Sequence, residues 1–216
     1  MESVIIQPIS QKVADEVRKA IFTGELKAGQ VLSQEEIAQK LGVSRIPVRE
    51  AFSELEKTGL LVLRNNRRAV VADLTVEDFT DHYSIRIILE GEAAARASLT
   101  NGHKEIEDAY EELKNASKNQ DIPAYVVANE KFHKEIWEAS GSKYLILLLN
   151  QLWKGLPPYL PELLPEQIKL SSPEHEAILN AILNRQPEDA RRFMQKHIER
   201  SQKSFIQRYM QINTKT

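Results

Sequence analysis

Ala38, Gly42 and Val48 set the tightest constraint on how this chain can fold. A small residue, a turn glycine and a buried aliphatic at that spacing let two short helices cross closely, the geometry of a helix-turn-helix. The neighbouring residues agree with it. Ser33-Gln-Glu-Glu36 reads as a capping box, in which the Ser33 hydroxyl accepts from a first-turn amide while Glu36 reaches back. It opens a helix carrying Ile37, Ala38 and Leu41. Ser44 is placed to cap the next helix, which ends at Gly59. Pro47 falls in that helix's first turn, where a missing amide hydrogen costs little. Val48, Phe52 and Leu55 form its inner face. Ahead of this pair, Ile9 to Phe22 reads as an amphipathic helix with Val13, Val17 and Ile21 on one side.

Beyond Gly59 the pattern changes twice. Leu60–Leu63 and Ala69–Val71 are short β-favourable runs flanking the basic tip Arg64-Asn-Asn-Arg67-Arg68, which predicts a hairpin. After Asp73 only long helical periodicities remain. Helices are predicted from Thr75 to about Leu99 and over about 103–118, 121–139 and 142–154. A proline-rich connector spans 156–165. Ser172-Pro173 then reads as the start of a helix, with serine as cap and proline in its first position. Pro187 starts the last helix, which runs to about Tyr209. The expected architecture is mainly α, with a winged helix-turn-helix over 1–74 and an all-helical bundle over 75–216.

Composition narrows the function. The 216 residues contain no cysteine, which excludes disulfides, thiolate zinc sites and cysteine nucleophiles. No apolar run approaches the ~18–20 residues of a membrane span, and the first residues carry no signal-peptide pattern, so a cytoplasmic protein is expected. The net charge of −2 gives no global reason to expect a polyanionic partner. Locally the balance differs: residues 40–70 hold seven lysines and arginines against three glutamates, a net +4. The outward residues at the start of the third helix are Ser44, Arg45, Ile46, Arg49 and Ser53. A recognition helix offers such N-terminal residues to the major groove, where arginine donates two bonds to guanine. Arg67 and Arg68 at the hairpin tip can reach phosphates or the minor groove. Double-stranded DNA is the expected partner, read as a palindrome by a homodimer.

The second half carries a different chemistry. Of five histidines, His133, His175 and His197 each neighbour aliphatic residues on separate helices, whereas His82 and His103 read as solvent-facing. Asn129 and His133 are spaced i, i+4 and project from one helix face. Three neutral imidazoles from three inward faces can bind a divalent metal, with zinc, nickel and manganese all chemically possible. Hydrogen-bonded core histidines are the alternative reading of the same residues.

Two stretches in the first half are similar to the GntR family of winged-helix regulators: Leu41-Gly-Val-Ser-Arg-Ile-Pro-Val-Arg-Glu-Ala-Phe52, and the lead-in Ile21-Phe-Thr-Gly-Glu-Leu-Lys-Ala-Gly-Gln-Val-Leu32. The second half resembles the FCD effector domain of the FadR-type branch. It does so through Arg86-Ile-Ile-Leu-Glu90, Asn129-x-x-Phe-His133, and Glu174-His175 followed by Ala190-x-x-x-Met194-x-x-His197-Ile198. The resemblance implies a metal held by Asn129, His133, His175 and His197, and a small carboxylate effector contacted by Arg86, for which a helix-surface or intersubunit salt bridge, such as one to Glu90 at i+4, is the alternative reading. The chain departs from the family pattern at Ile46, where threonine is usual, and at Arg68, where a wing glycine is usual. Asn129 is a neutral donor, where other members have an aspartate or asparagine, and Ser142 stands where an asparagine is frequent. The competing function is a metal-dependent hydrolase built on the three histidines, since such a site can activate water. No acid or base motif accompanies them, and an enzyme would leave the amino-terminal reader unexplained.

Overall fold

The computed structural model describes residues 8–64, 68–155 and 165–213. They group into two compact units, one of residues up to Thr75 together with those from Gln211 onward, the other Val76–Met210.

In the first unit the order is α1 (Ile9–Phe22), β1 (Val31–Ser33), α2 (Gln34–Leu41), α3 (Arg45–Lys57), β2 (Leu61–Arg64) and β3 (Arg68–Val71). The amphipathic stripe of α1 buries Val13, Val17 and Ile21, and α3 buries Val48, Phe52 and Leu55 completely. Arg18 ties these two helices together from a nearly buried position, bonding Asp15 at 2.5 Å and Glu54 at 3.3 Å. Ala38 is buried, and Gly42 adopts a left-handed φ of 67° at the end of α2, so the turn forms where the spacing requires. The three strands pair antiparallel in the order β1-β3-β2, with Val62 opposite Val70 and Leu32 opposite Ala69. Strand β1 is not legible in the sequence; three residues are too few to show an alternation.

Neither predicted serine cap is made. Ser33 and Ser44 occupy the N-cap positions of α2 and α3, but neither side chain accepts a capping bond. Ser33 ends β1 and is committed to the ladder opposite Arg68. At Ser44 the cause is Pro47: a cap residue bonds the second or third amide of the helix, and the third is this proline, which has no hydrogen to give.

The second unit holds α4 (Val76–Ala97), α5 (Lys104–Asn119), α6 (Ile122–Ala139), α7 (Lys143–Gly155), α8 (Gln167–Leu183) and α9 (Pro187–Asn213) as far as Met210. Here α4 packs on α6, α7 and α8, while α5 packs on α6 and α8. Asp121 caps α6 by accepting from the Ala124 amide at 3.0 Å. Ala93, Trp137, Leu145, Leu149 and Trp153 form one buried cluster joining α4, α6 and α7. Phe205 of α9 sits edge-on to Phe79 of α4, ring centres 5.0 Å apart.

Helix α8 corrects a boundary. It begins at Gln167, so Ser172-Pro173 does not start it, and Pro173 lies inside. A proline there removes the amide bond to the carbonyl four residues back, on Lys169. Lys169 is exposed, so water can serve that carbonyl, and the Ser172 hydroxyl meanwhile donates to the Ile168 carbonyl at 2.8 Å. His175 consequently sits mid-helix rather than in a first turn.

Candidate functional site

The outward face of α3 carries Arg45 and Arg49, both exposed, with Ile46 62 % exposed between them. Arg45, Ile46 and Arg49 line a shallow groove together with Gln34 from α2. Arg45 is steadied by Glu35 of α2 at 2.9 Å, an exposed pair that a phosphate or a base edge can displace. Ser44 is exposed, and Ser53 is half-buried, further from solvent than the helix-surface reading implies. In the hairpin, Arg64 stands directly opposite Arg68, two like charges on neighbouring strands. Such a pair is unfavourable by itself and is relieved by an anion. Arg67 lies outside the described residues.

In the second unit the three histidines come together. His133 on α6, His175 on α8 and His197 on α9 are all buried, and one nitrogen from each lies within 4.8 Å of the others. Nitrogens around a single zinc stand roughly 3–4 Å apart, given bonds of ~2.0–2.1 Å, so the separation suits coordination after small ring rotations. Both nitrogens of His175 are buried without a hydrogen-bond partner among the described residues. A core histidine would have found one, so this orphaned ring fits a ligand better than packing. The pKa of His175 and of His197 lies well below the ordinary value. Burial is the main cause and the neighbouring histidines add to it. The rings are therefore neutral, the form in which imidazole binds metal. Asn129 is half-buried one turn before His133.

Around this cluster stand charged residues, of which the sequence offered only the i, i+4 pair of Arg86 and Glu90. Glu90 is fully buried on α4, with Oε2 2.7 Å from His133 Nδ1. Its Oε1 accepts from Arg86 Nε at 2.8 Å and pairs with Nη2 at 2.7 Å. Burial alone would raise the Glu90 pKa, but the Arg86 charge and His133 outweigh it and hold the carboxyl down at about 2. Arg86 also lies over Trp153, 4.8 Å from the ring centre, and that ring is 5.2 Å from His133. Arg86 thus adjoins the histidines, with two of its three nitrogens committed to Glu90. On the other side, Glu174 bonds His197, and Arg200 bonds Glu174. Two spacings hinted at these links: Glu90 is four residues from Arg86, and Glu174 directly precedes His175.

Neither remaining histidine faces solvent as expected. His82 is half-buried, with Nε2 buried and unpartnered among the described residues, and His103 lies 2.9 Å from the Ala97 carbonyl through Nε2.

Comparison with known proteins agrees with both halves. Residues 9–71 match the family described as bacterial regulatory proteins, gntR family, and residues 81–200 match the FCD domain. The Glc operon transcriptional activator of Escherichia coli (strain K12) is 28% identical over 228 residues, covering 92% of this chain and 89% of that protein. The uncharacterized HTH-type transcriptional regulator YdhC of Bacillus subtilis (strain 168) is 32% identical over 145 residues, 64% of this chain and 63% of that protein. The chain therefore spans somewhat less than two thirds of that relative's length. Among solved structures, E. coli McbR/YncC superposes with a TM-score of 0.74 at 23% identity, over 94% of this chain and 100% of that one, a likeness of fold. These families and relatives are regulators of transcription and not enzymes, which leaves the hydrolase reading without support. With a GntR reader over its first strands and helices and an FCD domain over the rest, the chain belongs to the GntR family and is a transcriptional regulator.

Proposed function

We propose that this regulator binds a palindromic operator as a homodimer in the cytoplasm, and that a small carboxylate effector bound beside a divalent metal in the FCD domain changes its operator occupancy. The observation that carries the reading is the convergence of His133, His175 and His197 within 4.8 Å, with His175 unpartnered among the described residues. With Asn129 as a fourth, neutral donor, the set suits zinc, nickel or manganese. When bound, the ion supplies a positive charge that a carboxylate oxygen can meet. Arg86, beside Glu90, is the guanidinium that shares such a ligand, through Nη1, the one nitrogen not bonded to Glu90. In the reader, the exposed residues Ser44, Arg45, Ile46 and Arg49 meet base edges, and Arg68 meets the backbone.

Dimerisation draws support from the surface of the second unit. The packed helices α4 and α7 expose Ile85, Ile88, Tyr144, Leu147 and Leu148, with Ile88 at 63 % and Tyr144 at 78 % exposure. An effector shifts such a dimer only through its different affinity for the operator-competent and incompetent arrangements, typically worth ~1–3 kcal/mol. The test is a thermal-shift screen of carboxylate metabolites with and without zinc, nickel or manganese. A metal-dependent rise in melting temperature with one class of acid is expected. No shift with any metal, acid or combination would remove the metal and effector parts of the reading.

A further inference from the structure

His197 reaches the histidine cluster from α9, and its second ring nitrogen is also engaged. Nδ1 lies 2.8 Å from Glu174 Oε2. Arg200 grips the same carboxylate at both oxygens, from Nε to Oε1 at 2.6 Å and from Nη2 to Oε2 at 2.8 Å. It also donates to Ser171 Oγ at 2.7 Å and to Gln167 Oε1. Ser204 Oγ donates to Gln167 Oε1 at 3.0 Å, which closes the network between α8 and α9. The same order of groups recurs on the far side of the cluster, where Arg86 holds Glu90 and Glu90 meets His133 Nδ1 at 2.7 Å. His175 has no such partner among the described residues. Two of the three imidazoles are therefore each backed by a carboxylate, and each carboxylate by an arginine.

A neutral imidazole carries one proton, and the hydrogen bond made by one nitrogen decides what the other can do. An ionised carboxylate only accepts, so it keeps the proton on the Nδ1 beside it and leaves the Nε2 lone pair free. Carboxylate–histidine pairs of this kind orient metal ligands and raise their basicity. The arginines hold the carboxylates by charge-assisted bonds, so neither Glu needs a proton of its own.

We propose that Glu174 and Glu90 are the positioning residues of the metal centre: each fixes its histidine in the Nδ1–H form and turns Nε2 towards the ion, with Arg200 and Arg86 holding the two carboxylates in place. The proposal rests on the metal reading above and assigns roles to three residues, Glu90, Glu174 and Arg200, that the ligand set does not include. Through this chain Arg86 acts on His133 by way of Glu90, whatever it does towards an effector. His175 is left as the ligand oriented by packing, its ring 5.2 Å from Phe132 and edge-on to it.

Glu174 is the better site for a test, because its side chain is 27 % exposed whereas that of Glu90 is fully buried. Zinc affinity is measured by competition with a chromophoric chelator in the full chain, in Glu174→Ala and in Glu174→Gln. Melting and circular dichroism of the zinc-free proteins serve as the control for folding. The alanine variant should bind zinc about 10–100-fold more weakly, and glutamine, which keeps an accepting oxygen without the charge, should fall between. Nitrogen-15 NMR of the zinc-free wild-type chain should show the His197 proton on Nδ1, and that signature should disappear in Glu174→Ala. A wild-type proton on Nε2 overturns the proposal whatever the variants do. So does a folded alanine variant with wild-type zinc affinity. Failure of the wild-type chain to take up zinc, nickel or manganese overturns the metal reading itself, and this proposal with it.

Discussion

Arg45 and Arg49 lie one turn apart on the open face of α3, while Arg68 stands on a strand opposite Arg64. The difference in setting predicts a difference in role. Arg45→Ala and Arg49→Ala should each cost ~1–3 kcal/mol of operator binding and relax sequence preference. Arg68→Ala should weaken all sequences alike and lower the salt slope by roughly one unit. Binding titrations against operator and scrambled DNA at several salt concentrations separate the two outcomes. Equal loss of preference from helix and wing would contradict the division. His82 supports a second prediction at this scale. Burial, followed by the nearby Arg86 charge, lowers its pKa from 6.5 to about 4. The folded state thus stays neutral while the unfolded chain takes up a proton as pH falls below ~6.5. This contribution to stability is intact above that value and is lost progressively down to about pH 4. His82→Gln should therefore lose less stability than wild type between pH 7 and 5, by at most about 2 kcal/mol. Urea unfolding at the two pH values checks it, and identical losses would refute it.

At the scale of the element, α8 is the helix whose shape departs furthest from its sequence pattern. Pro173 interrupts its hydrogen-bond ladder two residues before His175. Proline inside a helix costs up to ~3 kcal/mol, partly offset because it also restricts the unfolded chain by ~0.4–1 kcal/mol. Pro173→Ala restores the amide that can reach the Lys169 carbonyl and should raise unfolding stability by about 1–2 kcal/mol. Chemical denaturation of the metal-free protein reads this directly. An unchanged or lower midpoint would mean that the surrounding packing requires the proline ring. The helix keeps its residues together because its buried side, Ile168, Ser171, His175, Ile178 and Ile182, continues across the proline at helical spacing. Tertiary burial therefore outweighs the local break.

For the whole molecule, the exposed apolar residues of α4 and α7 call for a physical account. Scattered exposed aliphatics need no explanation, but five on two helices that pack together suit the proposed pairing surface. Two-fold pairing also matches the usual doubling of helix-turn-helix contacts on a palindrome. Ile88→Glu together with Leu148→Glu should convert the proposed dimer to a monomer, with weakened operator binding but an intact fold. Sedimentation at micromolar concentration measures the first and gel shift the second. A wild-type chain that sediments as a monomer while binding its operator one to one would sink the dimer.

The local elements follow from short-range patterns along the chain. Helix α1 runs over the predicted Ile9–Phe22 because a stripe of Val13, Val17 and Ile21 is a property of the chain alone. The turn at Gly42 and the hairpin around Arg64 and Arg68 were legible for the same reason, as short-range chemistry. So were the three histidines as candidate ligands, since each could be placed on an inward helix face one at a time. Whatever depends on distance between elements was settled by how the helices and strands pack. That includes the approach of His133, His175 and His197 from three helices, the pairing of β1 with β3, and the burial of His82. It also decided the continuation of α8 through Pro173, because local pattern rates a proline by its missing amide while the fold weighs that loss against a whole buried face. Glu90 was legible only as an i+4 partner for Arg86, and Glu174 and Arg200 were hidden, for a related reason: a glutamate or arginine on a helix reads as solvated surface until the neighbouring helix arrives to take its place in the hydrogen-bond network.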